Sequence, residues 1–296
     1  MIHEIQAKSI LNKMSSPANW FGVEYNMNIY RGCQFGCIYC DSRSECYRIE
    51  NFDDIFVKVN APELLRKELA YKRKRGTIGT GAMSDPYIPI EKEYKLTGQC
   101  LEIIADFKFP LNICTKSNMI LRDIDILEKI NKVYACVSFT LTTADDDLAR
   151  KIEPKAPLPS ERLKAMGVLS ALGIKAGVLM MPILPFIEDN EENIANIVLQ
   201  AKAHGASFIV PAFGMTLRDR QRMYYYNKLD EHFPGIRGKY EKRFGSRYSC
   251  GANNYIKLRE LFDKLCRENN ISSKMPSYFS KVAEVQMNFF NKIDEI

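Results

Sequence analysis

The fold of the chain is decided by residues 23–40, VEYNMNIYRGCQFGCIYC, where a short apolar segment runs into a loop with three cysteines. The segment 23–29 carries β-branched and aromatic residues and predicts a strand. Cys33, Cys37 and Cys40 follow it with the spacing Cys-x3-Cys-x2-Cys. A closed zinc or iron–sulfur site takes four protein ligands. Because the loop supplies three, either a distant residue completes the site or one position stays open for chemistry.

Apolar segments and amphipathic helical patterns alternate on both sides of the cysteine loop, which implies parallel strands joined by crossover helices. The further predicted strands are 76–82, 110–116, 134–142, 174–184 and 206–213. The predicted helices are 61–74, 96–107, 122–131, 160–173 and 191–205. Since a complete eight-unit barrel needs about 250 residues, the pattern predicts an α/β fold, a partial (β/α)6 TIM-like barrel. The cysteine loop then lies at the carboxyl ends of the strands, where such barrels carry their active sites.

Three regions follow from this pattern. We expect an N-terminal extension at 1–22, the (β/α)6 core at 23–215, and a C-terminal helical cap at 216–296 that packs on the barrel. The segment 217–251 is basic and aromatic with little strand signal, and 254–270 predicts an amphipathic helix.

Composition limits the class of protein. The 296 residues are 46% hydrophobic with a net charge of +6, which permits an anionic partner without requiring one. The sequence contains no apolar run of about 18 residues and begins without a secretory signal, so we expect a cytoplasmic protein with no membrane span. The nine cysteines are an odd number scattered along the chain, which indicates metal ligands and buried thiols rather than disulfides. The three histidines are far apart, which argues against a histidine-rich metal site.

The clustered cysteines have alternatives to an open metal site. Free cysteines are often buried as small apolar residues, and Cys46 is a local candidate for a fourth ligand. The cysteines within predicted helices and strands are expected to be core residues, namely Cys100, Cys114, Cys136 and Cys266.

The cysteine spacing, with the aromatic Tyr39 before the third cysteine, resembles the radical S-adenosylmethionine (SAM) superfamily. The resemblance implies that Cys33, Cys37 and Cys40 bind a [4Fe–4S] cluster and that SAM chelates the fourth iron. It further implies reductive cleavage of SAM to a 5′-deoxyadenosyl radical, which abstracts hydrogen from a substrate. An electron donor such as a flavodoxin or ferredoxin is then required.

Further segments resemble the spore photoproduct lyase-like branch, also called DNA repair photolyases. They are TGAMSDPYIPIE (80–91), TKSNMILRDIDIL (115–127), KIEPKAP (151–157), SERL (160–163) and MMPILPFIED (180–189). This resemblance implies a modified nucleobase in nucleic acid as the substrate. The spore lyase carries a hydrogen-donating cysteine just before the Ser-Asp of this motif, where this chain has Ala82. Cys250 in the cap is a candidate replacement for that donor.

The resemblance assigns SAM contacts to side chains near the strand ends, namely Tyr39, Ser84, Asp85, Lys116, Ser117, Ser138, Glu153 and Met181. Asp85 would pair with the ammonium group of SAM and Lys116 with its carboxylate, while Ser138 would contact the ribose. Tyr39 and Met181 would lie near the adenine.

Four of these assignments have a structural alternative. The alternative for Asp85 is a cap of the turn before Pro86, and the alternative for Glu153 is a salt bridge with Arg162. The alternative for Tyr39 and Met181 is an ordinary place in the core.

Basic residues alternate with aromatic ones in RDRQRMYYY (218–226) and RGKYEKRFGSRY (237–248), and KRKR (72–75) ends a predicted helix. Such composition suits phosphate neutralisation and base stacking, but it equally suits a solvated helix end and a cap packed on the barrel. Two alternatives to a nucleic-acid substrate remain open at this point. One is a radical SAM enzyme acting on a peptide or partner protein, and the other is a non-catalytic iron–sulfur protein whose cluster Cys46 completes.

Overall fold

The structure is a computed structural model and describes residues 1–16 and 21–278. Its strands are β1 (Ile2–Ile5), β2 (Leu11–Lys13), β3 (Tyr25–Met27), β4 (Tyr30–Arg31), β5 (Ile55–Lys58), β6 (Ile78–Thr80), β7 (Leu111–Thr115), β8 (Ala135–Thr140), β9 (Lys175–Met180), β10 (Phe208–Pro211), β11 (Gly214–Thr216) and β12 (Ser249–Gly251). Its helices are α1 (Ala61–Ala70), α2 (Glu91–Tyr94), α3 (Leu96–Asp106), α4 (Ile124–Asn131), α5 (Asp146–Ile152), α6 (Pro159–Ala171), α7 (Glu191–Ala203), α8 (Asp219–His232), α9 (Ile236–Phe244) and α10 (Tyr255–Glu268).

The central sheet has the strand order β10-β9-β8-β7-β6-β3-β2. All neighbours from β3 to β10 are parallel, and β2 alone in this sheet runs antiparallel, to β3. Every residue of β8 is buried, as expected for a parallel strand covered on both faces. The α/β class and the partial (β/α)6 barrel predicted from the sequence are therefore confirmed.

Strands β1 and β2 lie within the segment 1–22, where the sequence predicts an extension. β1 pairs in parallel with β5, and β4 completes this small sheet on the other side of β5. β2 pairs with β3, so both strands join this segment directly to the strands around the cysteine loop.

The region after β10 is mainly helical. The segment 217–251, which shows little strand signal in the sequence, contains α8, α9 and the short strand β12, and β12 pairs antiparallel with β11. Helix α10 packs against α7 on the outside of the barrel. Within the described residues, no helix is long and apolar enough to cross a membrane.

Candidate active site at the carboxyl ends of the strands

A cavity of about 560 Å³ opens at the carboxyl ends of the parallel strands, and Cys33, Cys37 and Cys40 all line it. Gly32 makes the turn from β4 into this loop with φ +82°, and a Cβ at that position would lie 2.2 Å from the carbonyl oxygen of Asp54. Only glycine tolerates both that backbone conformation and that approach. The tight turn at Gly32, directly after the short strand β4, therefore brings the three thiols to one place.

The three thiols lie in a poorly solvated environment. Burial raises the pKa of Cys33 to about 12 and also raises the pKa values of Cys37 and Cys40, although Lys116 acts in the opposite direction on the last two. Burial therefore favours the neutral thiol form of these side chains. Soft sulfur ligands of this kind suit an iron–sulfur cluster, which deprotonates them on binding. Among the described residues, no three His, Cys, Asp or Glu side chains are arranged to hold a single metal ion.

Asp85 lines the same cavity and fixes the ends of two neighbouring strands. Its carboxylate accepts hydrogen bonds from the Thr115 hydroxyl at 2.7 Å, from the Lys116 N–H at 2.6 Å and from the Tyr87 N–H at 2.9 Å. Burial raises the pKa of Asp85, and these hydrogen bonds counteract the shift. Asp85 thus caps the turn, as the sequence allows, and it also faces the cavity.

Glu153 lies behind the cavity wall and joins several candidate residues. It accepts a hydrogen bond from the Tyr39 hydroxyl, pairs with Arg162 at 2.5 Å, and lies 4.0 Å from the Lys116 ammonium. Burial alone would raise the pKa of Glu153, but Arg162 and Lys116 outweigh that effect and lower it. The salt bridge to Arg162 that the sequence suggests as an alternative role is present.

Lys116 places a cation at the cavity. Burial works to lower its pKa, but Cys37 and Glu153 outweigh burial and raise the pKa of Lys116, so the side chain stays charged. Its ammonium lies 5.7 Å from the centre of the Tyr39 ring, and both residues line the cavity.

Met181 also lines the cavity, but several other predicted site residues do not. Ser84 donates to the Gly32 carbonyl at 2.5 Å, and Ser117 caps the 3₁₀ helix after β7 by accepting from the Met119 N–H. Both hydroxyls are buried in backbone contacts. Their role in the structure is therefore to hold the strand-end turns.

Two cysteines considered as extra ligands or donors are also outside the cavity. Cys250 is fully buried on β12, and its neighbours Ser249 and Gly251 line the cavity instead, because successive side chains on a strand point to opposite faces. Cys46 is exposed, and its sulfur accepts from the Ser44 hydroxyl at 3.3 Å. The structure therefore brings neither thiol to the three clustered cysteines.

A second, smaller cavity of about 280 Å³ lies inside the barrel and shares part of its lining with the first. Ser138, predicted at the SAM ribose, lines this inner cavity and not the outer one. Cys114, predicted to be a core residue, lines both cavities, because it shares with Asn112 the face of β7 that looks into the barrel.

Sequence reasoning missed the opposite wall of the outer cavity. That wall is formed by the antiparallel pair of β11 and β12, through Gly214, Met215, Thr216, Ser249 and Gly251. These strands have three residues each, too few to show an alternating pattern.

Comparisons with known proteins agree with this arrangement. The family model described as "Radical SAM superfamily" matches residues 27–198. An uncharacterized protein of Mycobacterium tuberculosis is 30% identical over 82% of this chain and 73% of its own length. An uncharacterized protein of Methanocaldococcus jannaschii is 35% identical over 64% of this chain and 70% of its own length. Spore photoproduct lyase in complex with dinucleoside spore photoproduct superposes with a TM-score of 0.69 at 15% identity, over 90% of this chain and 79% of that one.

The barrel, the cavity at its carboxyl ends and the family match together define the class of protein as a cofactor-dependent βα-barrel enzyme. The chain belongs to the radical SAM superfamily. The cofactors of such an enzyme are a [4Fe–4S] cluster and SAM, and it requires an electron donor, as the sequence resemblance implies. The fold is the one seen in spore photoproduct lyase.

Proposed function

We propose that this enzyme holds its [4Fe–4S] cluster through Cys33, Cys37 and Cys40 and abstracts hydrogen from a nucleobase in a nucleic acid. The observation that carries the proposal is the convergence of the three thiols and Lys116 on one cavity at the strand ends. When bound, the cluster and SAM supply reductive cleavage and hydrogen abstraction, while the protein supplies orientation and exclusion of water.

The charges of the cavity suit the amino-acid part of SAM. Lys116 remains a cation and is proposed to neutralise the SAM carboxylate. Asp85 faces the cavity with a carboxylate and is proposed to lie near the ammonium group, while its hydrogen bonds hold the ends of two strands in place. Tyr39 and Met181 line the wall and are proposed to contact the adenine. Glu153 acts on this site through Lys116 and Tyr39 and is a positioning residue.

Basic residues on α9 and in the segment between α9 and β12 support a nucleic-acid substrate. We call Lys239, Arg243 and Arg247 the basic rim. The cationic groups of Lys239 and Arg243 lie within 6.0 Å of the Phe186 ring centre, and Arg247 lies 5.9 Å from that of Phe244.

The basic rim is exposed, and none of its three side chains forms an ion pair with another described residue. Arg247 lies two residues before Ser249, which lines the cavity. Cations next to aromatic rings are the composition with which proteins hold single-stranded nucleic acid. The spore photoproduct lyase structure that shares this fold is a complex with a dinucleoside photoproduct, which favours the same substrate class. We further propose that a flavodoxin or ferredoxin in the cytoplasm supplies the electron.

The first test is anaerobic. The reconstituted protein is mixed with SAM and dithionite, 5′-deoxyadenosine is quantified, and the EPR spectrum of the cluster is recorded with and without SAM. Wild type should form 5′-deoxyadenosine, and Cys40→Ala should form none. Cys46→Ala is the matched control and should behave as wild type, because Cys46 lies outside the cavity. If Cys46→Ala abolishes the cluster signal while Cys40→Ala keeps it, the assignment of ligands is wrong.

The second test addresses the substrate. Binding of a labelled single-stranded oligonucleotide is measured by fluorescence anisotropy over a range of salt concentrations. Neutralising the basic rim (Lys239→Ala, Arg243→Ala and Arg247→Ala together) should lower the salt slope by about 2, since each phosphate contact on a single strand contributes about 0.7. The control neutralises three exposed lysines on the outer helices, Lys129, Lys164 and Lys202. Equal losses in both triple variants would contradict docking at the rim and would favour a peptide or protein substrate.

A further inference from the structure

The inner cavity of about 280 Å³ adjoins the cofactor cavity. The two share the lining residues Gly81, Ala82, Cys114, Lys116, Thr140 and Met181. A molecule in the inner cavity would therefore lie directly beside whatever occupies the outer one. Nothing in the proposed cofactor site uses the deeper part of this space.

The lining of the inner cavity is mainly apolar and nearly free of charge. Its apolar side chains are Met14, Phe21, Val23, Ile113, Leu179, Met181 and Met275. Its uncharged polar side chains are Asn26, Thr80, Asn112, Ser138 and Thr140. Lys116 is the one charged residue among the described lining, and it lies at the boundary with the outer cavity. Such a lining favours an uncharged ligand, since a charge without a partner would be poorly solvated there.

Asn112 is the unusual residue of this lining. It is 4% exposed, and its amide nitrogen donates to the Phe21 carbonyl at 3.3 Å. Its Oδ1 is buried and has no hydrogen-bond partner among the described residues. Leaving a buried acceptor unpaired is destabilising.

The polar neighbours of Asn112 do not pair with its Oδ1. The Ser138 hydroxyl points to the sulfur of Met275 at 3.9 Å, and Thr140 approaches the Cys114 sulfur at 3.7 Å. The Oδ1 of Asn112 therefore lacks a hydrogen-bond donor among the described residues.

We propose that the inner cavity binds the reacting part of the substrate and that Asn112 determines its specificity by accepting an N–H from an uncharged planar amide or lactam ring. The volume suits a group the size of one ring, because pockets for drug-sized ligands span about 300–1,000 Å³. This inference rests on the proposed function, since it places the reacting group beside the SAM site.

Ligand-observed NMR on the protein without reductant tests the inference with two matched probes, uracil and 1,3-dimethyluracil. Wild type should bind uracil about threefold to tenfold more tightly, the value of one net hydrogen bond. Asn112→Leu removes the acceptor at similar volume, so its ratio of affinities should fall to about one. Asn131→Leu, the same change on the outer helix α4, should keep the wild-type ratio. Circular dichroism verifies that each variant is folded. The comparison of the two probes on wild type tests the inference even if a variant fails to fold.

Three results would overturn the inference: equal affinity of wild type for the two probes, no binding of either probe, or a preference for uracil that persists in Asn112→Leu and so reflects size alone. Orotate, which adds a carboxylate to the uracil ring, should bind wild type more weakly than uracil, and tighter binding would overturn the uncharged class. Formation of 5′-deoxyadenosine by the same preparation separates the two proposals. If it is formed while the probes are not distinguished, only the specificity of the inner cavity is wrong.

Discussion

Glu153 and Arg162 form an ion pair of 2.5 Å in which each side chain is 1% exposed. The same carboxylate accepts a hydrogen bond from Tyr39, which lies in the cysteine loop, while Arg162 lies on α6. Arg162 also donates to the Thr140 carbonyl at 2.9 Å, at the end of β8. The pair thus connects the cysteine loop to the barrel wall behind the outer cavity.

Replacing Glu153 by Gln should destabilise the cluster-free protein by about 3–5 kcal/mol, because it leaves the Arg162 charge buried without its partner. Urea unfolding measures the change. Asp147→Asn is the control, since it breaks the exposed pair with Arg150 and should cost no more than about 1 kcal/mol. A similar small loss for Glu153→Gln would contradict a structural role for the pair.

The same prediction has a pH dependence. The pKa of Glu153 is lowered in the folded protein from an ordinary value of 4.5. Its stabilising contribution is therefore complete above that value and is lost as the pH falls through the lowered pKa. The difference in unfolding free energy between wild type and Glu153→Gln should shrink in acid, and a difference that grows as the pH falls would contradict the assignment.

Gly81 lines both cavities at the place where they adjoin. Its φ is +99°, and a Cβ there would lie 1.8 Å from the Cys114 carbonyl oxygen. Gly81→Ala should lower the melting temperature clearly and weaken the thermal shift produced by SAM. Gly235→Ala is a matched control, because Gly235 has φ +82° but no atom within 4 Å of its Cβ position. It should show only the strain of a positive φ, about 1 kcal/mol. Equal effects of the two variants would mean that the close contact at Gly81 is unimportant.

The sequence predicts the barrel well because its central strands are buried on both faces and therefore appear as apolar runs, β8 above all. It also predicts that the three cysteines meet, because their spacing keeps them in one loop. The roles of Ser84 and Ser117 could not be predicted in this way. The Ser84 hydroxyl donates to the Gly32 carbonyl, which is 52 residues away in the sequence, and the Ser117 hydroxyl accepts from the Met119 N–H. Residue spacing reveals neither contact.

Cys114 shows a second limit of sequence reasoning. An apolar strand in a parallel barrel presents alternate side chains to the helices and to the interior. The run PLNICTK does not reveal which set lines a cavity. The sequence therefore predicts Cys114 in the core, whereas the structure places it in the lining of both cavities.

Arg218 connects the cap to the cysteine loop. Its guanidinium lies 2.6 Å from the carboxylate of Asp41, which directly follows Cys40, and both side chains are about one-third exposed. Arg218→Leu should change the free energy of unfolding by no more than about 1 kcal/mol, as for other partly exposed pairs. It should nevertheless speed the loss of the reconstituted cluster to a chelator severalfold, because the loop is less firmly held.

The loss of cluster absorbance after addition of EDTA under anaerobic conditions measures this effect. Arg237→Leu is the control, since Arg237 pairs with Asp230 and Glu241 within the cap and does not contact the loop. Identical rates of cluster loss in wild type and Arg218→Leu would show that the contact with Asp41 does not protect the cluster.

Glu188 should make the stability of the protein decrease with rising pH. Its side chain is fully buried, its Oε1 has no hydrogen-bond partner among the described residues, and burial raises its pKa from 4.5 to about 8. Between these values the folded protein holds a proton that the unfolded chain has released. The free energy of unfolding therefore falls as the pH rises through this range, by up to about 1.4 kcal/mol for each unit of pKa difference, and levels off above pH 8.

Glu188→Gln keeps an oxygen that can accept from the Leu184 N–H and removes the titration. Relative to wild type, this variant should therefore gain stability between pH 5 and pH 9, whereas the exposed control Glu192→Gln should show no such gain. Urea unfolding of the cluster-free protein at the two pH values measures both differences. If Glu188→Gln keeps the same stability relative to wild type at both pH values, Glu188 does not hold a proton in the folded protein.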